Sequence, residues 1–302
     1  SMEEGLEGFR DAMAKAGLEE GKDIQTTVQS AQGDIAILSG LVDGIAAGPA
    51  DLVVAFSTPA LQTVLRKVKA KPAVFGIVAD PFVAGAGTDN ANHLPGITGV
   101  YMLGPFGELS TLLKTHFPQW KRVGTLFCPA ETNSVANEKA MRAALAAVGI
   151  ELESVAAATP ADLPDAASAL ARRPIDAIVQ ISDNQSTSGF PAIARAAVRS
   201  RKPLVALTSD ALRQGAAVAL ALDYRDAGFA TGQKALRVLQ GQSPASLPFE
   251  NFGKTTLLVS EDHARELGFT LPPALVAAAA KAASANAGAN SATAPAPARE
   301  AR

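Results

Sequence analysis

The chain has 302 residues, a net charge of −2 and a pI of about 6.0. That length exceeds what one core usually organises, since single cores stop growing near ~250–300 residues, so two domains are expected. The near-neutral balance, with no basic run, argues against nucleic acid or an anionic membrane as a main partner.

Cys128 is the only cysteine, so no intramolecular disulfide and no cysteine-based zinc site can form. His93, His116 and His263 lie far apart without metal-ligand spacing, and no metal site is expected. No apolar run reaches the ~18–20 residues of a spanning helix, and no basic-then-apolar leader opens the chain.

Residues 3–17 carry Leu6, Phe9 and Met13 at helical spacing and stop at Gly17. Ser1-Met2-Glu3-Glu4 leads straight into that pattern, whereas an α/β domain usually opens on a strand. A first strand and a leader are therefore expected to be missing. Ile24 to Val28 alternate as a strand, and Gly33 to Ala47 follow as a helix. Leu52–Phe56 and Ala73–Val78 read as buried parallel strands flanking a helix from Thr58 to Lys69.

A Gly/Asn/Asp-rich loop, 84–96, precedes a strand at Ile97–Tyr101. The pattern then restarts: helix to Phe117, strand 122–127, helix 132–148, strand 150–155 and helix 161–172. Strand 175–181, helix 187–200 and strands at 203–207 and 217–221 complete a second half. Such alternation is the signature of doubly wound parallel sheets.

Helix 225–240 comes after the second half is complete, followed by strands near 247–250 and 255–259, as in a chain returning to its first domain. The expected division is 1–102 plus 224–246 for one lobe and 103–223 plus 247–273 for the other. Residues 274–302, rich in Ala, Asn, Ser and Pro, are expected to be a disordered tail, of which 274–285 also suit a fraying helix.

Four apolar strands end in polar residues where a helix or turn begins: Phe56-Ser57-Thr58-Pro59, Val78-Ala79-Asp80-Pro81, Cys128 to Ser134, and Ile181-Ser182-Asp183-Asn184. Open α/β sheets bind ligands at that end of their strands. Ser57 and Thr58 suit either a helix cap or an anion site at a helix N-terminus. Asp80 and Asp183 suit either turns or acceptors for a ligand ammonium, and Glu131 and Asp210 extend that pattern. Asn133 and Ser134 suit either a cap or donors to an anion. No P-loop and no nucleophile elbow occurs, and Gly85-Ala86-Gly87 lacks the third glycine of a dinucleotide fingerprint. Neither a cofactor nor a catalytic residue is expected.

Several segments, in order, resemble one family. They are Phe9-Arg10-Asp11-Ala12-Met13 with Gly17, Ser30-Ala31-Gln32-Gly33-Asp34, Ala55-Phe56-Ser57-Thr58-Pro59-Ala60 and Val78-Ala79-Asp80-Pro81. Further on come Thr98-Gly99-Val100, Cys128 through Ser134, Ser182-Asp183-Asn184 and Asp223-Tyr224. They are similar to the ABC-transporter substrate-binding proteins of the tryptophan/tyrosine type, with a type I periplasmic-binding-protein fold. The resemblance covers roughly residues 5–270. Cys128 stands where that pattern usually has Asn.

The resemblance implies two α/β lobes, three hinge crossings and a ligand trapped between the lobes on closure. Ser57, Thr58 and Asp80 would line the first wall. Glu131, Asn133, Ser134, Asp183, Asn184 and Asp210 would line the second. The implied function is a non-enzymatic, periplasmic or extracytoplasmic receptor that hands an amino acid or related carboxylate to an ABC permease. The alternatives are a ligand-sensing domain signalling to a partner, or a doubly wound enzyme.

Overall fold

The computed structural model describes residues 2–292, with side-chain surroundings to residue 284, and arranges them around two separate sheets. The first lobe runs through α1 (Met2–Lys15), α2 (Ile35–Ala47), β1 (Val53–Phe56), α3 (Thr58–Lys67), β2 (Ala73–Val78) and β3 (Ile97–Tyr101). The second begins with α4 (Phe106–His116), β4 (Arg122–Phe127), α5 (Thr132–Ala147), β5 (Glu151–Ala156), α6 (Leu163–Ala171) and β6 (Ala177–Val179). It continues with α7 (Asn184–Ser188), α8 (Phe190–Ser200), β7 (Leu204–Ala206), α9 (Ser209–Arg213) and β8 (Val218–Leu222). The chain returns through α10 (Tyr224–Leu239) and β9 (Glu250–Asn251), then closes with β10 (Thr255–Val259), α11 (Glu261–Glu266) and α12 (Pro273–Ala292).

The first sheet has the order β1-β2-β3-β9 and is parallel throughout. The second, β10-β8-β7-β6-β4-β5, is parallel except for β10, which runs antiparallel to β8. β2, β3 and β8 are buried along their whole length, which explains why their sequences are unbroken apolar runs rather than alternations.

Three crossings join the lobes, and backbone hydrogen bonds tie them to the ends of β2 and β3 and to one another. Met102 N donates to Val78 O (2.8 Å), Phe252 N to Tyr101 O (2.7 Å) and Asp223 N to Lys254 O (3.2 Å). Ile77, Met102, Leu222, Tyr224 and Ala227 form a small apolar cluster at this junction, distinct from the cores of either lobe.

α1 is held against α10 at close range because glycines line both helices. A methyl on Gly228 would overlap the Gly5 carbonyl, and one on Gly8 would overlap the Arg225 carbonyl. Arg225 then pairs with Asp11 (2.7 Å) at the rim of the contact.

Three sequence expectations are corrected. Residues 247–251, assigned above to the second lobe, pair with the first sheet. β9 lies beside β3, Thr98 Oγ1 donates to Leu247 O (2.7 Å), and Phe249 packs edge-on against Phe75 with ring centroids 4.7 Å apart. Leu247 and Phe249 are core side chains of that lobe, so the crossing falls after Asn251.

The tail is helical rather than disordered through Ala292. Alanine favours helix, and Leu275 and Ala279 bury themselves where α12 packs on β10. Residues 293–302 of the expected tail lie outside the described residues. Finally, Ile24–Val28 forms only an isolated bridge between Glu20 and Ile24, and Val28 is 51% exposed. The alternation was strand-like, but among the described residues no strand lies beside it to complete a ladder.

Candidate functional site

The polar strand ends of the two sheets face each other, and each is shaped by local chemistry. In the first lobe, Ser57 leaves β1 with φ 93° and ψ 155°, a region populated almost only by glycine. Its hydroxyl accepts from Ala60 N at 3.4 Å, a long capping bond, while Pro59 starts the helix without a redundant N–H. On the neighbouring strand Ile77 also has positive φ, 54°, where β2 breaks register with β3. Thr58 is buried, and its Oγ1 accepts the Ala79 amide (3.2 Å), tying the two strand ends together. Asp80 Oδ1 accepts from Phe82 N (2.8 Å) and Val83 N (3.0 Å), so one oxygen closes its own turn.

In the second lobe the carboxylates are structural anchors. Glu131 accepts from Asn184 N (3.1 Å), Asn184 Nδ2 (2.6 Å), Asn133 Nδ2 (3.3 Å) and Gln185 N (3.0 Å). It thereby satisfies the start of α7 from another strand end. Asp183 Oδ1 accepts Ser186 N (2.6 Å), and its Oδ2 accepts the Ser134 hydroxyl (2.5 Å). Burial pushes the Asp183 carboxyl up to about 6, and the neighbouring Glu131 charge adds to the rise. Burial likewise pushes the Cys128 thiol up, which leaves it a small apolar residue rather than a nucleophile.

Asn133 is the exception. Its Nδ2 is engaged by Glu131, which fixes the orientation of the amide, yet its Oδ1 is buried without a hydrogen-bond partner among the described residues. It sits in the first turn of α5, whose N-terminal amides have no side-chain cap. That turn meets α3 of the other lobe through a hydrogen bond from Gln62 Nε2 to Thr132 Oγ1 (3.2 Å).

Of the nine residues singled out by sequence, eight lie at the ends of β1, β2, β4 and β6. Asp210 lies on α9, paired with Arg213 of the same helix. Sequence reasoning missed the side chains that span the lobes. These are Gln62 with Thr132, Ser209 with Glu4 (3.1 Å to each carboxylate oxygen), and Ser182 with Tyr224 (2.6 Å). Ser182, Thr132 and Tyr224 lay inside segments singled out above, whereas Gln62, Glu4 and Ser209 carried no signal. Among the described residues no cluster of His, Cys, Asp and Glu could hold a metal ion, and no helix is long and apolar enough to cross a membrane.

Two doubly wound lobes with facing strand ends and three crossings define a protein of the periplasmic-binding-protein class. The chain belongs to the ABC transporter substrate binding protein family, whose profile matches residues 1–283. It is 24% identical over 267 residues to the tyrosine-binding protein of Clostridioides difficile (strain R20291), covering 88% of this chain and 77% of that one. It is also similar to the ABC domain in complex with L-Trp from Streptococcus pneumonia, at 26% identity and a TM-score of 0.85, over 92% of this chain and 94% of that. The ligand-free, open structure of a substrate binding protein with adhesive properties from Clostridium difficile is 25% identical over 90% and 92% of the chains, with a TM-score of 0.66. At near-equal identity and coverage, the likeness is greater to the tryptophan complex than to the open structure.

Proposed function

We propose that this protein is the solute receptor of an ABC importer, capturing an amino acid between its lobes and presenting it to a permease outside the cytoplasm. The observation that carries the amino-acid reading is the buried, unpartnered Asn133 Oδ1 at the uncapped start of α5, next in sequence to the Ser134 that bonds Asp183. A carbonyl oxygen and a carboxylate are acceptors for an ammonium, whereas uncapped helix amides are donors for a carboxylate. A zwitterion supplies both.

In this reading Ser57 and Thr58, at the start of α3, contribute donors from one wall. Asn133, Ser134, Asp183 and Asn184 form the other. Asp80 and Glu131 hold the backbone that presents them, and Asp210 borders the cleft from α9. Relatives named for binding tyrosine and solved with L-Trp support an aromatic amino acid as the first candidate. Those relatives are named for binding, and the reading is of a receptor rather than a catalyst.

The test is calorimetry and thermal shift against L-tyrosine, L-tryptophan and smaller amino acids. A ligand present at ~100 times its Kd adds about 2.7 kcal/mol of stability. Asn133→Ala should weaken binding tenfold or more, with the melting temperature of the ligand-free protein little changed. Absence of any shift with amino acids, or turnover of one of them, would overturn the reading.

A further inference from the structure

The topology separates the lobe-spanning hydrogen bonds by their distance from the crossings. The chain crosses at the β3–β9 side of the first sheet and at the β8–β10 side of the second. Ser182 and Ser209 follow β6 and β7, close to that side. Gln62 and Thr132 do not. Gln62 lies on α3, which follows β1, the opposite edge of the first sheet, and Thr132 opens α5 after β4, three strands in from β8. At about 4.8 Å per strand, this pair stands roughly 10–15 Å from the crossings within each sheet.

A rotation about the crossings displaces remote points most. The Gln62–Thr132 bond (3.2 Å) is therefore the first to break on opening and the last to form on closing. Both side chains are partly buried, which shields the bond from competing water without the penalty of full burial. The bond joins lobe to lobe directly, through a side-chain amide and a hydroxyl that carry no charge, so pH does not switch it.

We propose that Gln62 and Thr132 form an outer latch that sets how long the cleft stays shut, and that Glu4 and Ser209 form its inner counterpart near the hinge. The latch is a positioning device. It shifts the balance between open and closed forms, and so multiplies the affinity for whatever the cleft holds without choosing among ligands. Only its effect on ligand release rests on the receptor reading above; its effect on lobe position does not.

The experiment measures interlobe distances by spin labels at Lys69→Cys and Lys139→Cys, both exposed, in a Cys128→Ser background. The unlabelled wild-type and variants are titrated with L-tyrosine and L-tryptophan. A short-distance population is expected in the ligand-free chain. Gln62→Ala and Thr132→Val should each lower the ratio of short to long distances about three- to tenfold, as for one neutral hydrogen bond. The double variant should fall no further than either single one, and Thr132→Ser, which keeps the hydroxyl, should restore the ratio. Dissociation of a bound amino acid should quicken by the same factor while association and the ranking of ligands stay unchanged. Distances that do not respond to either single variant, or a wild-type chain with only the long distance, would overturn the latch. If the wild-type binds neither amino acid, the ligand reading falls and the distance ratios still decide the latch.

Discussion

The Ser134 hydroxyl donates to Asp183 across 2.5 Å and accepts the amide of Cys128 at 2.8 Å. One hydroxyl thus joins the ends of β4 and β6, strands that lie 49 residues apart at this contact. Asp183 in turn caps α7 through Ser186 N, so the ends of β4 and β6 and the start of α7 form a single hydrogen-bonded unit centred on a buried carboxyl. Replacing Asp183 by Ala would damage this unit as well as any ligand contact. Asparagine, close in shape to a protonated Asp, is the more discriminating substitution.

The raised Asp183 carboxyl makes stability depend on pH in an unusual direction. Its folded value, about 6, lies above the ordinary 3.8, so the folded state holds the proton more tightly than the unfolded chain does. Between those values the contribution of this group to stability falls as pH rises, and above about 6 the ionised form costs up to about 3 kcal/mol. Asp183→Asn should therefore raise stability by about 1–2 kcal/mol at pH 8 and change it little at pH 4.5. Denaturant unfolding of both proteins at the two pH values checks this, and a difference that does not change with pH would refute the buried-charge account.

Glu131 lends itself to a second substitution. Its carboxylate accepts four hydrogen bonds, three of them from the first two residues of α7. Glutamine keeps the shape but presents an NH₂ group to some of those donors. Glu131→Gln should cost about 2–4 kcal/mol, since charge-assisted bonds are lost and buried N–H groups are left unpaired. Hydrogen exchange at the amides of Asn184 and Gln185 should quicken more than exchange in the first sheet; uniform loss of protection would point to a general folding defect instead.

The packing of α1 on α10 predicts opposite outcomes for two glycines. Alanine usually stabilises a helix interior by about 1 kcal/mol relative to glycine. At Gly40 of α2 the added methyl meets nothing, so Gly40→Ala should gain up to that amount. At Gly228 the methyl would run into the Gly5 carbonyl, and α1 would have to move away. Gly228→Ala should lose about 3 kcal/mol or more, as overpacked contacts with rigid backbone do. Urea unfolding of the two variants measures both signs.

The strand ends were legible because burial on both faces demands apolar runs, and Val123–Phe127 stops abruptly where the cleft begins. What each polar residue does there was not legible. Glu131 takes donors from residues 53 and 54 positions away, and no local pattern distinguishes that anchor from a ligand contact. Ile24–Val28 failed for the converse reason. Alternation states that a segment can pair, but pairing needs a neighbouring strand. Gln62, Glu4 and Ser209 lie inside or beside ordinary helical patterns, and their interlobe bonds follow from the approach of the lobes.

Ser57 sets local stability against function at one position. Its backbone, at φ 93° and ψ 155°, carries strain of about 1–3 kcal/mol for any residue with a Cβ. Its capping bond to Ala60 N is 3.4 Å long, and glycine costs only a few tenths of a kcal/mol as an N-cap. Some of the relief is offset by the greater freedom of glycine in the unfolded chain. Ser57→Gly should therefore stabilise the ligand-free protein by about 1 kcal/mol, whereas Ser57→Val should destabilise it by about 2 kcal/mol. If the hydroxyl serves the cleft, Ser57→Gly should also weaken binding of L-tyrosine or L-tryptophan, so stability and affinity move in opposite directions. Denaturant unfolding and calorimetry on the same samples decide the matter. A variant that gains stability and keeps its affinity would remove Ser57 from the binding wall and leave its strain without a function.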